Sequence, residues 1–417
     1  MANPVYDCAI AGAGASGLFA AARILAARPS MRVVIIDPNS RCGKKLMLTG
    51  AGRCNFTNSN LDLASYNTDD PAKLAHMLSQ FGASDTIDFF ENVLGVLTVN
   101  KGELYYPATL RAGTVVDALR YFLEEHGCEM LFETKADKIL PDNGIYKVIT
   151  GDGREISASN VVIATGGITY PKTGSTGDVK HLTEGFIDNR DLTDFKCSLV
   201  LLIPDDPSLK SLAGVRIPAT VSLGTEDRKK VACGELQITK DGGLSGICIF
   251  DLSGEIVRLV DAGRTPVIHV NFCNAEPGEC CLMAAVRAKM FPERSISAAL
   301  SGMVQRTVLE YVLKKIGYKC NLPAKDIFYN DLCRIADALT AFPFTITGYG
   351  KPADAQVSQG GVNLSALDGH LQIPPHPGIY VIGEAVNVDG ICGGYNLQWA
   401  WTSAALCADG IIGDIRS

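Results

Sequence analysis

The chain has 417 residues and is 47% hydrophobic, enough for a large core and for two domains, or one domain carrying an insertion. Its 38 basic and 45 acidic residues leave a net charge of −7, which gives neither a nucleic-acid backbone nor an anionic membrane an electrostatic reason to bind. The 14 cysteines form no C-x-x-C pair and the 6 histidines are scattered, so no metal site is expected and the thiols read as mostly buried and reduced.

The first residues, MANPVYD, lack a basic n-region, so no signal peptide and a cytoplasmic location are expected. Tyr6 to Ala11 is a short apolar strand, Gly12 to Gly17 (GAGASG) a turn, and the alanine-rich stretch to Ala27 a helix. Arg32 to Asp37 (RVVIID) is a second strand of the buried, parallel type. A glycine- and lysine-rich stretch runs from Cys42 to Asn58. Residues 71–93 carry helical spacing and Val115 to His126 a further helix. Residues 130–150 alternate like a meander turning at Pro141 to Gly144, and Asn160 to Ala164 is a buried strand closed by Thr165-Gly166-Gly167.

From 195 to 272 the segments SLVLLIP, RIPATVSLG, VACGELQIT, ICIFDL and PVIHVNF predict antiparallel sheet, and 279–340 is helical. The basic cluster Arg228-Lys229-Lys230, flanked by Glu226 and Asp227, reads as a solvated turn. Pro377 to Gly383 returns to strand, and Asn396 to Gly410 is the last helix. The expected architecture is α/β. One Rossmann-like domain is built from residues 1–192 and 345–417. A domain is inserted at 193–344, antiparallel over 193–275 and mainly helical over 276–344.

The G-x-G-x-x-G turn follows a strand, opens a helix and precedes an acidic residue, Asp37, at the end of the next strand. Gly12 suits the tight turn, Gly14 the close approach of a pyrophosphate and Gly17 the packing of helix on strand. Ala15 and Ser16 present helix N-terminal amides, and Asp37, followed by Pro38, suits a ribose diol. The single fingerprint, the A-T-G-G strand end and the glycine-rich return near the C-terminus favour a flavin over a nicotinamide nucleotide. Gly383-Glu384 ends a strand with a carboxylate suited to ribityl hydroxyls. Gly393-Gly394 precede a helix whose N-terminus would stabilise negative charge on a flavin ring, and they are expected to admit that ring. The loop of Lys45, Thr49, Gly50, Gly52, Arg53, Cys54 and Asn55 is expected beside the cofactor. Cys54 is weighed there as a redox-active thiol against a buried packing residue.

GAGASG, GKKLMLTGAGRCNFTN, ATGG with TGSTGD, GGVNL, and GEAVNVDGICGGYNLQWAWTS together resemble the bacterial FAD-dependent oxidoreductases of the BaiN/RdsA-like (YhiN-like) family, which includes aminoacetone oxidases and a bile-acid-pathway flavoprotein. The resemblance spans essentially the whole chain. It implies one FAD in a glutathione-reductase-like Rossmann domain, with an inserted β-rich and helical domain over the flavin. It places Gly12, Gly14, Gly17 and Asp37 on the ADP half, Thr165 and Gly166 near the adenine half, and Lys45 and Thr49 to Asn55 along the flavin. Gly383, Glu384, Gly394, Tyr395, Asn396 and Leu397 would surround the ribityl and pyrimidine portions. The segment Thr239 to Ile247 lacks the proline the family carries in the insert, which bears on substrate choice.

The leading expectation is an NAD(P)H-driven reductase of an activated C=C, such as a steroid or bile-acid enone, with Tyr395 or Tyr349 as candidate proton donors by position and an ordered water as an equal alternative. The alternative is an oxygen-using flavin oxidase of a small amine such as aminoacetone. RNA modification is disfavoured by the acidic charge, and a cysteine-based redox sensor by the absence of a paired-thiol motif. A small-molecule substrate is the expected partner, with no nucleic acid and no membrane.

Overall fold

The computed structural model describes residues 5–224 and 229–414. The start of the MANPVYD segment, and Glu226, Asp227 and Arg228 of the basic turn, lie outside the described residues. The chain divides into two compact units, residues 1–197 with 355–417, and residues 198–354.

The first unit is built on a seven-stranded sheet. Glu129–Leu131, Val33–Ile36, Tyr6–Ala11 and Glu155–Ile163 run parallel in that spatial order, and Ile379–Val381 pairs parallel with Glu155–Ile163. The order places the C-terminal strand beside a strand from the first half of the chain, with Val162 opposite Tyr380. The meander Ala136–Asp142 and Ile145–Thr150 completes the sheet in antiparallel fashion. The central strands are covered on both faces, which is why they read as continuous apolar runs. The helix Ala15–Ala27 packs against the last helix, Tyr395–Asp414, burying Phe19 against Trp401. Both tryptophan N–H groups are satisfied inside: Trp399 donates to the Gly383 carbonyl at 3.0 Å and Trp401 to that of Phe56 at 2.8 Å.

The expected helix over 71–93 is broken in two at Phe81-Gly82. The pieces Pro71–Gln80 and Ala83–Asp88 are followed by one π turn, Phe89–Val93. Glycine at 82 supplies no packing side chain and the Asp85 carboxylate caps its N–H, so a new helix starts there.

The second unit is a closed barrel of Leu202–Pro204, Leu244–Ser245, Lys229–Ile238, Arg216–Gly224, Val267–Asn271 and Phe342–Tyr349, with helices Pro277–Met290, Ile296–Leu300, Arg306–Lys315 and Tyr329–Thr340. ICIFDL, expected as strand, is the start of a helix, Ile247–Asp261. Cys248, Ile249, Leu252, Ser253, Ile256 and Val257 are its buried residues, a helical and not an alternating set. Gly246 ends the preceding strand in left-handed backbone, where a Cβ would lie 2.1 Å from the Glu235 carbonyl oxygen. The strand Phe342–Tyr349 crosses the expected boundary at 344/345 and closes the barrel by pairing with Leu202–Pro204 and Val267–Asn271. Among the described residues no helix is long and apolar enough to cross a membrane.

The thiols, expected to be mostly reduced, include one bonded pair. Cys281 and Cys333 form a disulfide between the helices Pro277–Met290 and Tyr329–Thr340. The sequence separation of 52 concealed the pair.

Candidate functional site

The parallel strands end level with one another. Gly12 donates its N–H to the Ile36 carbonyl at 2.8 Å, and Ala164 to that of Ala11 at 2.8 Å. A cleft of about 1180 Å³, counted out to its open mouth, runs along these ends within the first unit. Ligands of open α/β sheets bind in this crevice beyond the carboxyl ends of the strands.

The helix Ala15–Ala27 starts on the cleft wall. Gly14, its N-cap, is extended and brings no side-chain cap, and the first turn holds no acidic residue. Its first N–H groups are therefore open to an anion, aided by the helix dipole. Gly12 has φ +118, and a Cβ there would sit 2.3 Å from the Ala164 carbonyl oxygen. A Cβ on Gly17 would sit 2.0 Å from the Gly12 carbonyl oxygen, whereas one on Gly14 meets nothing within 4 Å. The outer glycines hold the turn and helix tight, and the middle one leaves the cleft floor bare.

Asp37 is buried beside them. One carboxylate oxygen accepts the Ala13 N–H at 2.7 Å, and the other accepts the Asn39 N–H and the Asn39 Nδ2, each at 2.8 Å. A carboxylate offers about four acceptor sites, so one direction remains for a hydroxyl donor. Asn39 Nδ2 also donates to the Thr173 carbonyl at 2.8 Å, which draws the TGSTGD loop to the cleft.

At Lys45 the two ends of the chain meet. Lys45 Nζ lies 2.6 Å from Glu384 Oε2 and donates to Thr169 Oγ1 at 2.7 Å. Glu384 Oε1 accepts from Thr169 Oγ1 at 3.2 Å and from the Ser358 N–H at 2.9 Å. Both charged side chains keep about a fifth of their surface, 20% and 21%, so the pair is neither fully desolvated nor freely hydrated.

Gly12, Gly14, Ala15, Ser16, Asp37, Pro38, Lys45, Thr49, Thr165, Gly166, Glu384, Asn396 and Leu397 all line this cleft. Gly50, Gly52, Arg53, Cys54, Asn55, Gly383, Gly394 and Tyr395 are not among its lining residues. Gly394, expected to admit a ring, has φ +94 and lies so close to the segment Thr57–Asn58 that a Cβ would approach the Thr57 carbonyl to 2.7 Å. Close packing on that segment requires glycine there, and the helix that starts at the next residue lines the cleft through Asn396, Leu397 and Ala400. Cys54 is wholly buried, and desolvation pushes its thiol up to about 12, which makes it a protonated packing group and not a nucleophile. Tyr395 is buried with its ring edge-on to Tyr66 at 5.4 Å. Tyr349 belongs to the barrel unit, where its hydroxyl donates to Asp261 at 2.7 Å.

Thr169 and Ser358, which hold the Lys45–Glu384 pair, escaped sequence reasoning. The signals available were their positions two residues after ATGG and two before the Gly360-Gly361 pair. One polar atom of the cleft is orphaned. Thr165 Oγ1 is buried without a hydrogen-bond partner, and a native protein normally satisfies such a group. Uncapped amides, a spare carboxylate direction and an unpartnered hydroxyl along one cleft fit an FAD.

A family described as HI0933-like protein Rossmann domain matches residues 6–410. The chain belongs to this family. It is 30% identical over 405 residues, 95% of this chain and 97% of the relative, to the 3-dehydro-bile acid delta(4,6)-reductase of Clostridium scindens. It is 27% identical over 421 residues, 98% of each chain, to the ribosomal RNA dihydrouridine synthase of Escherichia coli. Among solved structures, 3-ketosteroid delta1-dehydrogenase from Sterolibacterium denitrificans matches with a TM-score of 0.51 at 12% identity, covering 98% of this chain and 100% of that one. A flavocytochrome c3 fumarate reductase matches with a TM-score of 0.50 at 13% identity, covering 99% and 78%. These two show the shared fold.

Proposed function

We propose that the protein reduces a carbon–carbon double bond conjugated to a carbonyl in a hydrophobic small molecule of the steroid or bile-acid type, with NAD(P)H as electron donor. The observation that carries this reading is the cleft itself, onto which two helix N-terminal turns open, those of Ala15–Ala27 and Tyr395–Asp414. The first suits a pyrophosphate, with Asp37 beside it for a ribose. The second, through Asn396 and Leu397, suits negative charge on a heterocycle. FAD, when bound, supplies the hydride transfer. The chain supplies orientation, the exclusion of water by Leu46, Val357 and Trp399, and a fixed ion pair, Lys45–Glu384, in the same cleft. Because Tyr395 packs on Tyr66, water held in the cleft is the proton source this reading favours.

The names of the relatives support the reaction class. Delta(4,6) reduction of a 3-dehydro bile acid and conversion of uridine to dihydrouridine both saturate a C=C conjugated with C=O. The second relative favours a second reading, reduction of a uracil in ribosomal RNA, against which stands the net charge of −7.

Anaerobic mixing of the yellow holoprotein with NADH or NADPH tests the reading. Bleaching followed by recovery of colour on adding a 3-oxo-4-ene steroid is expected. Recovery with ribosomal RNA and not with the enone moves the substrate to RNA. Bleaching by aminoacetone with prompt recovery in air, and none by either nicotinamide, makes the protein an oxidase and overturns the proposal.

A further inference from the structure

We propose that Cys273 and Cys280, in the barrel unit, form a reversible thiol–disulfide site. Their seven-residue spacing matches no paired-thiol motif, yet the fold brings their sulfurs to 3.6 Å. The approach is built by the turn between them. Asn271 Oδ1 accepts the N–H groups of Cys273 and Asn274 at 3.0 and 2.9 Å, and Asn271 Nδ2 donates to the Ala275 carbonyl at 2.9 Å. Asn274 takes left-handed backbone with φ 50. The helix Pro277–Met290 then starts in a capping box, with the Glu276 N–H held by the Glu279 carboxylate at 3.3 Å, and Cys280 follows directly. Strand end, turn and helix start are each pinned, so the two sulfurs meet by construction. A disulfide needs them at about 2.05 Å, a closure of about 1.5 Å that side-chain rotation can supply.

The two sulfurs differ in access. Cys280 is fully buried, whereas Cys273 keeps partial exposure and is the one an external reagent can reach. The oxidant is a low-molecular-weight disulfide of the glutathione class. The two thiols lose two electrons and two protons and one S–S bond forms between them. The external S–S bond breaks and takes up both electrons and both protons as two free thiols. The adjacent residue, Cys281, already forms a disulfide with Cys333. The second bond would close the turn from 273 to 280. The end of the strand Val267–Asn271 would then be tied to a helix that is itself tied to Tyr329–Thr340.

The test equilibrates the full-length holoprotein in glutathione buffers from fully reduced to fully oxidised. The samples are then quenched in acid and denatured in excess alkylating agent, so that every free thiol is capped, the chain is cut after Glu279, and the peptides are weighed without reduction. Cleavage there separates Cys273 from Cys280, so their peptides stay joined only through sulfur. The joined species should rise from below about a tenth to above about nine tenths across the series and fall again on reversal. Cys273→Ser should abolish it while leaving the Cys281–Cys333 link in place. Cys280→Ala, which touches the buried partner, should do the same. Alkylation of both cysteines at every ratio would overturn the proposal. So would glutathione lodged on Cys273 with Cys280 still free, or a Cys280 linked elsewhere.

Discussion

The two units use the same residue types in opposite ways. In the Rossmann unit Cys8, Cys54 and Cys407 are wholly buried and unbonded, with burial pushing Cys54 up to about 12 and raising Cys8 and Cys407 as well. In the barrel unit Cys281 is bonded to Cys333, and Cys273 touches Cys280. A thiol in an apolar core is a small packing group, whereas two thiols brought together by a turn can do chemistry. The polar groups contrast in the other direction. In the Rossmann unit they gather along one cleft, with the amides of Ala15 and Ser16, the Asp37 carboxylate, the orphaned Thr165 hydroxyl and the Lys45–Glu384 pair all lining it. In the barrel they knit local structure, as Tyr311 does with Asp206 and Tyr349 with Asp261.

The largest test of this contrast is reduction. Removing the Cys281–Cys333 bond opens a loop of sequence separation 52, which should cost the barrel unit about 4 kcal/mol. Peptide-resolved hydrogen exchange with and without dithiothreitol should show the loss in 198–354, with the Rossmann sheet unchanged. Equal loss in both units would remove the distinction.

Next comes Gly12→Ala. A Cβ 2.3 Å from the Ala164 carbonyl oxygen in left-handed backbone should cost about 3 kcal/mol and leave the protein colourless. Thermal unfolding and the visible spectrum report it. Gly14→Ala should fold normally, its Cβ being in open space, and lose flavin affinity alone.

Lys45→Met leaves Glu384 without its cation and should cost about 1–2 kcal/mol, moderated by the pair's partial exposure. Combining it with Glu384→Gln should recover much of the stability in a double-mutant cycle, while FAD affinity, measured by fluorescence quenching, stays low.

Thr165→Val should leave the flavin-free protein as stable as before or more so, because it deletes an unsatisfied buried hydroxyl, and should weaken FAD binding by about 1 kcal/mol. If apoprotein stability falls instead, the hydroxyl has an internal partner.

The smallest effect concerns pH. Cys54 has a folded pKa near 12 against an ordinary value of 9.0, so the unfolded chain holds fewer protons between those values. Its contribution to stability is complete below pH 9 and is lost as the pH rises toward 12. Native Cys54 should therefore resist alkylation at pH 8, where the exposed Cys233 reacts. Comparable alkylation rates at the two would break the contrast.

Much of the first unit was legible because its constraints are local. The glycine-rich turn, an acid ending the second strand and helix-opening amides are each written within a few consecutive residues. The membership of Lys45 and Glu384 in one cleft was legible too, through long motifs. Their ion pair, with Thr169 and Ser358 around it, was not, since its partners lie up to 339 positions apart in the chain. The barrel was harder. ICIFDL carries β-branched and aromatic residues suited to a strand, but it folds as a helix because Gly246 turns the chain and the buried set falls on one helical stripe.

By itself, then, the amino-acid order determined the dinucleotide fold, part of the set of residues that line its crevice and the alternation of a sheet-rich insert. It did so because hydrophobic period, glycine and caps act over a few residues at a time. Only the tertiary structure decided which thiols meet, which glycines serve packing and which polar atoms are left open. Those outcomes depend on distances between segments remote in sequence, which no local pattern encodes.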